Sequence, residues 1–346
     1  MSVVFRARGS GVVFVESGFH VVITMPSVDA SSSTRSSNRS PLRLGTRGSA
    51  LARWQAQWVA AQLQRLGTDV QLVIISTQGD VSSQPLDQIG GQGVFTKEIQ
   101  RALLDVRIDV AVHSLKDLPT EPVDGLTLAA IPQRDSNHDV LICRQAADID
   151  GLPAGSRVGT GSNRRRAQLL FHRHDLVVRG IRGNVETRLR KLDEGQFDAL
   201  ILAEAGLRRL GLQQHATWVI PRSWMLPAVG QGALGIEIRD DDRQTDQAVA
   251  QLNHLETSAA VRAERSMLRA LRAGCLAPVG VWARVEHDSI RLDGVVLSLD
   301  GTCRLAVSVA GPLSEPVALG VLAAERLAAQ GAADLIRQSR DDHDLS

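Results

Sequence analysis

The chain reads as an α/β protein with two similar lobes facing a cleft, followed by a small α+β domain with an antiparallel sheet. Three observations predict this. From residue 42 onward, strand and helix signals alternate, which implies mostly parallel strands covered by helices. The first half is echoed in the second: RLGTRGS (43–49) resembles RVGTGSN (157–163), and DVAV (109–112) is matched by DALIL (198–202). Late in the chain the pattern changes to a helix, three alternating strands and a second helix. The echoed segments lie at different offsets, so the duplication is loose and not a tandem array.

With 346 residues, the chain is too long for one comfortable core. We expect a first domain over 42–132 and 230–250, a second over 138–229 and a third over 255–338. A leader (1–41) precedes them and a polar, frayed tail (339–346) follows. The leader is dense in Ser over 27–41 and has no apolar period, as in disordered segments. Its short apolar runs do not make a signal peptide. Two readings stay open for it: a transit peptide, or translation beginning at Met25 or later.

Residues 49–66 carry Leu51, Trp54, Trp58 and Ala61 at helical spacing, and Gly67 supplies the stop. Residues 70–75 form a β-rich run. Thr96 is placed to cap a helix through Val106, with Ile99, Ala102 and Leu103 facing inward. Residues 110–112 form a short buried strand. A helix over 258–272 closes at Gly274; Glu264 interrupts its apolar side, so partial cover is expected. Strands follow at 279–285, 290–297 and 303–309, the last two joined by an Asp300-Gly301 turn. A helix over 316–330 ends at Gly331.

Composition narrows the function. Lys and Arg number 39 against 38 Asp and Glu, a balance that argues against a general nucleic-acid or membrane-surface binder. Aromatics make up 3%, with no tyrosine, so base-stacking platforms are scarce. Three cysteines, Cys143, Cys275 and Cys303, are too few and scattered for a disulfide framework. A reducing, cytoplasmic setting is the simple expectation, with no membrane span and no metal site.

Four constellations carry chemistry. The two Gly-Thr turns each open into a helix N-terminus, where unpaired N–H groups and the helix dipole favour anions. Thr46, Ser49, Thr160 and Ser162 add hydroxyls, while Arg47 and Arg164–Arg166 add forked charge suited to carboxylates. The plain alternative is an ordinary capped turn with solvated arginines. RGIRGNVETR (179–188) brings Arg179, Arg182 and Arg188 to the carboxyl end of a strand, where open α/β sheets bind ligands; Asn184 is a fair helix cap. HSLKDLP (113–119) places Asp117 beside Lys116 at another such edge, where an Asp can meet a passing cation when ionised or deliver a proton when protonated. AGCLAP (273–278) puts Cys275 in a glycine-containing loop, whereas Cys143 and Cys303 fall in strands. A helix C-terminus does not lower a thiol's pKa, so reactivity there needs basic neighbours.

Together these segments resemble the porphobilinogen deaminase (hydroxymethylbilane synthase) family. The matching blocks are GTRGSALARWQA (45–56), TQGD (77–80), GVFTKEI (93–99), DVAVHSLKDLPTE (109–121), GTGSNRRRAQL (159–169), RGIRGNVETRLRKLDEGQFDALILAEAGLRRLGL (179–212), LPAVGQGALGIE (226–237) and AERSMLRALRAGC (263–275). The resemblance implies two periplasmic-binding-protein-like (type II) domains, with the chain returning to the first after Val229. It implies a transferase that joins four porphobilinogens head to tail with release of ammonia. The product grows on a dipyrromethane cofactor held as a thioether by Cys275. Asp117 falls on the catalytic aspartate, proton donor to the departing amine and counter-charge to the cation left behind. Cofactor contacts fall on Ser49, Asp80, Ser114, Lys116, Thr160, Ser162, Arg164, Arg165 and Arg188, and substrate contacts on Arg47, Arg182 and Phe95. The expected partners are porphobilinogen and the growing oligopyrrole, with no nucleic acid and no membrane, on a monomer. Gln88 and Gln92 stand where some relatives have Lys, leaving two fewer cations. The rival reading is a non-catalytic carboxylate-binding protein on the same scaffold; it leaves Asp117 and Cys275 without roles.

Overall fold

The computed structural model describes residues 40–76, 96–274 and 276–344. The leader expected over 1–41, apart from its last two residues, and the site residues Asp80, Phe95 and Cys275 lie outside them, as do Gln88 and Gln92.

The first sheet is built from β1 (Leu42–Thr46), β2 (Val70–Ile74), β3 (Val110–Ser114), β4 (Leu126–Ala130) and β10 (Leu234–Arg239). Its order is β2-β1-β3-β10-β4. Strands β2, β1 and β3 are parallel, and β10 lies antiparallel between β3 and β4. The second sheet contains β5 (Asp139–Cys143), β6 (Arg157–Gly159), β7 (Val177–Arg179), β8 (Ala199–Ala203) and β9 (Trp218–Val219), in the order β7-β6-β8-β5-β9. There β5 is the strand that runs against its neighbours. The two reversed strands are those by which the chain arrives from the other sheet: β5 follows the crossover at 131–138, and β10 follows that at 220–233. The sheets are therefore mostly parallel, as expected, with four of the five strands in each running the same way.

The sequence echo has a physical counterpart. The Arg43 backbone N–H and guanidinium donate to Asp109 at 2.9, 2.9 and 2.6 Å. Arg157 repeats the fork on Asp198 at 2.7, 3.0 and 2.9 Å. Arg43 is the second residue of β1 and Arg157 the first of β6, and each Asp immediately precedes the parallel neighbour of that strand, β3 or β8. The strands also approach closely at equivalent glycines. A Cβ on Gly45 would lie 2.3 Å from Ile108, and one on Gly159 would lie 2.7 Å from Leu200.

Helix α1 (Ala50–Arg65) is capped by Ser49, whose Oγ accepts from the Ala52 N–H at 3.3 Å, and Gly67 follows at φ +82°. Its buried stripe is Ala56, Val59, Ala60 and Leu63; Leu51, Trp54, Trp58 and Ala61 are only half-buried. The small alanines let the helix settle on the sheet, and the larger tryptophans take the border of that face. Helix α2 (Lys97–Leu104) buries Ile99, Ala102 and Leu103, but Thr96 makes no side-chain cap because its own backbone is already α-helical. In the second lobe, α3 (Asn163–His172), α4 (Val185–Asp193) and α5 (Glu204–Arg209) follow their strands, and α6 (Arg243–Ala250) comes after β10.

The third unit is the antiparallel sheet β11 (Val279–Glu286), β12 (Ser289–Leu297) and β13 (Arg304–Pro312), covered by α7 (Leu255–Ala270) and α8 (Pro316–Ala329). Their core includes Ala263, Met267, Val281, Leu292, Leu319 and Leu327. Three expectations need correction. Helix α7 begins earlier than expected, capped by His254, and the left-handed residue at its end is Arg272 (φ 50°), not Gly274. Residues 339–344 are helical, since α9 (Ala332–Asp344) runs through them, and Ser339 is buried while Arg340 donates to the Arg272 carbonyl. Glu264 is fully buried. Arg134 grips it with two bonds of 2.7 and 3.0 Å, and the N–H groups of Gly230 and Ala283 donate to it at 2.8 and 3.1 Å. One carboxylate thus joins α7 to both crossovers and to β11.

Removing one member of such a pair strands the other charge. Glu264→Ala is expected to cost about 3–5 kcal/mol, read from the urea midpoint. Glu264→Gln should lose less, because its amide oxygen still accepts. An unchanged midpoint for the alanine variant would show the pair to be idle.

Candidate active site

The two echoed turns sit at equivalent sheet edges, and their hydroxyls serve the helices that follow. Ser162 caps α3 by accepting from the Arg165 N–H at 3.4 Å, just as Ser49 caps α1. Thr160 is buried and its Oγ1 accepts from the Ser162 N–H at 3.3 Å. Arg47 is half-buried beside the first turn. Arg166 remains exposed, but Arg164 and Arg165 turn inward and are 4% and 6% exposed.

Both inward arginines meet Asp139, the first residue of β5. Arg164 donates from one terminal nitrogen to its Oδ2 and to the Leu226 carbonyl, each at 2.7 Å. Arg165 donates to Oδ1 from Nε at 2.9 Å and from a terminal nitrogen at 2.8 Å. Burial alone would raise the Asp139 pKa, yet the two guanidiniums hold it well below the usual carboxylate range. Burial lowers the Arg165 pKa, with Asp139 opposing. Asp139 was missed in the sequence. The signal was there: an Asp leads the apolar run DVLIC, as Asp109 and Asp198 lead theirs.

Asp117 ends a short 3-10 turn, Leu115–Asp117, directly after β3, and is exposed. Burial brings the neighbouring Lys116 down to about 8; the charges of Arg165 and Arg164 add to the shift while those of Asp117 and Asp139 oppose it. Arg188 is brought down to about 10 by burial and by the charges of Arg165 and Arg182, with Asp117 opposing. These groups thus lie within electrostatic reach of one another. The structure therefore brings together Asp117 and Lys116 from the first sheet with Arg164, Arg165, Arg182 and Arg188 from the second lobe. Arg188 is aimed by a 2.8 Å bond from Nε to the Gly183 carbonyl. Asn184 caps α4, accepting from the Thr187 N–H at 2.8 Å. Ser114 is engaged by the Gln55 side-chain amide at 2.8 and 3.1 Å.

Two supports were not visible in the sequence. Arg265, on α7, donates to the carbonyls of Leu118 and Pro119 at 2.9 and 2.7 Å, so it holds the backbone just past Asp117. Asn163 donates from Nδ2 to the Leu276 carbonyl at 3.0 Å, and the Ala277 N–H donates to the Gly274 carbonyl at 3.0 Å. The chain on both sides of position 275 is thereby held at the N-terminus of α3. A crevice there is lined by Lys116, Thr120, Ser162, Arg164, Gly274 and Ala277. Cys143 is buried within β5, and Cys303, just ahead of β13, is half-buried.

This setting suits a polyanionic group tethered at position 275. Arg164 lines the crevice, and its buried Nε–H has no acceptor among the described residues, a state that costs free energy until an acceptor arrives. A larger cavity of about 610 Å³ lies between α2 and the stretch after Pro119, but neither Lys116 nor Asp117 lines it. Among the described residues there is no group of three or more His, Cys, Asp or Glu placed to hold a metal ion.

Comparison with known proteins points the same way. Residues 42–247 match the family described as porphobilinogen deaminase, dipyromethane cofactor binding domain, and residues 258–329 match its C-terminal domain. A porphobilinogen deaminase of Pelotomaculum thermopropionicum is 45% identical over 304 residues, covering 87% of this chain and 97% of its own. One from Acidithiobacillus ferrooxidans is 48% identical over 303 residues, with 87% and 98% covered. Among solved structures, the methionine-binding protein MetQ superposes with a TM-score of 0.40 at 14% identity, over 61% of this chain and 89% of its own; a likeness that distant carries no argument.

Proposed function

The chain belongs to the porphobilinogen deaminase family, and from that premise we propose that it condenses four porphobilinogen molecules head to tail, releasing one ammonia at each step, on a dipyrromethane held by Cys275. It is a transferase of tetrapyrrole biosynthesis. The observation that carries the reading is the gathering of Asp117, Lys116 and four arginines, of which Lys116 and Arg164 line a crevice together with Gly274 and Ala277.

When bound, the dipyrromethane supplies an electron-rich pyrrole carbon for attack and the tether on which the product grows. The residues of this chain do the rest. Asp117 stands in the open, within reach of a substrate amine, and hands it a proton as it departs. Its carboxylate then faces the cation that remains, while Lys116 and Arg188 keep it from pairing with a single partner. Each pyrrole unit brings an acetate and a propionate, so forked cations are needed along the path. Arg164, Arg165, Arg188 and Lys116, with Ser49, Asp80, Ser114, Thr160 and Ser162, hold the cofactor; Arg47, Arg182 and Phe95 receive the incoming substrate. Three sheets support the division into domains at 42–132 with 230–250, at 138–229 and at 255–338. Among the described residues no helix is long and apolar enough to cross a membrane. We further propose a cytoplasmic monomer whose partners are porphobilinogen and the growing oligopyrrole, and the balanced charge supports its binding neither nucleic acid nor a membrane surface.

The intact mass of the purified protein tests the reading. Two covalently added pyrrole units on Cys275 support the enzyme, whereas an unmodified mass with a bound solute supports the non-catalytic receptor. Arg182 is exposed at the rim, and Arg182→Leu should raise KM for porphobilinogen roughly tenfold by removing one charged carboxylate contact. Unchanged kinetics would return that arginine to the solvent.

A further inference from the structure

Resting on the reading just given, we propose that Asp139 is a positioning residue: its buried carboxylate fixes Arg164 and Arg165 in the orientation that receives the cofactor's carboxylates. Two guanidiniums on adjacent residues of one helix repel each other, and burial magnifies that repulsion. Asp139 sits between them and is 1% exposed, so water cannot substitute for it. It also joins the pair to the chain's two crossings. It begins the strand reached by the first crossover, and Gln231 of the second crossover donates to its Oδ1 at 3.0 Å. Gln231 is tied to the first crossover as well, donating to the Asn137 carbonyl at 2.8 Å.

The carboxylate does not saturate the arginines. It engages one terminal nitrogen of Arg164, whose other terminal nitrogen stands 3.5 Å from Gln231 Oε1 and whose Nε has no acceptor among the described residues. Both terminal nitrogens are held, the second weakly, and the Nε–H is left for an incoming anion. A purely structural ion pair would be expected to close on every donor it buries. Lys116 senses the same carboxylate, so Asp139 also helps keep that ammonium charged beside the site.

The test is a double-mutant cycle read by intact mass, as the fraction of folded protein that carries the two-pyrrole adduct. Asp139→Asn preserves shape but removes the charge, and should lower that fraction roughly tenfold, the scale of losing one partner of a buried charge pair. The paired change Arg164→Gln/Arg165→Gln should lower it at least as far, and adding Asp139→Asn should bring no further loss, because the three residues act as one unit. If the losses multiply, Asp139 acts only through general stability and the proposal is overturned. Should Asp139→Asn fail to fold, Gln231→Ala loosens the same carboxylate with both charges kept. A two- to threefold loss that vanishes in the Arg164→Gln/Arg165→Gln background is then expected, and undiminished loading overturns the proposal. An adduct-free wild-type protein would instead refute the proposed function, a result distinct from any of these.

Discussion

Cys275→Ser is expected to give a folded protein that carries no pyrrole mass and turns over no porphobilinogen. The reasoning is chemical. A thiolate is a strong nucleophile that forms a stable thioether, while a serine hydroxyl stays protonated and has no general base assigned to it. The end of α7 offers its carbonyls, which disfavour a thiolate, so activation must come from cations across the crevice. Lys116 and Arg164 line it. Without the tether, the product has nothing to grow on, and the loss should be complete. Full activity in the serine variant would remove the thiol from the mechanism and with it the proposed chemistry.

Asp117→Ala should have the next largest effect, and a different one. The side chain is exposed and serves neither a cap nor a core, so the fold and the adduct on Cys275 should persist. Elongation should slow by roughly 10²–10⁴-fold, the usual contribution of a positioned proton donor. Single-turnover measurement on protein already carrying its adduct separates the two losses: kcat falls while the starting mass is unchanged. Near-normal rates would release Asp117 from its role.

Much of this was legible in the sequence because local chemistry decided it. Asn184 caps the helix it was expected to cap, and Gly67 stops α1. Asp109 and Asp198 stood out as leaders of apolar strands, and both are gripped by an arginine of the neighbouring strand. What stayed hidden depends on partners far along the chain. Glu264 looked like a flaw in an apolar face because its partner, Arg134, lies 130 residues earlier. Arg265 gave no sign of reaching Leu118, 147 residues away. Arg164 and Arg165 read as solvent-facing or ligand-facing, since nothing local announces that Asp139 waits behind them. The face of α1 was misjudged for another reason: alanines pack on a sheet more closely than tryptophans, and size decided which side turned inward.

Helix α7 has a consequence for how a product can lengthen. Arg265 clasps the backbone beside the proton donor, and the same helix runs on toward the anchoring position, so donor and anchor share one strut braced at Glu264. Under the proposed roles we expect that strut to act as a ruler, keeping the backbone after Asp117 at a nearly constant distance from Gly274. Successive rings cannot be accommodated by stretching that span; they must fold back or be fed past a stationary acid, as cloth passes under a fixed needle.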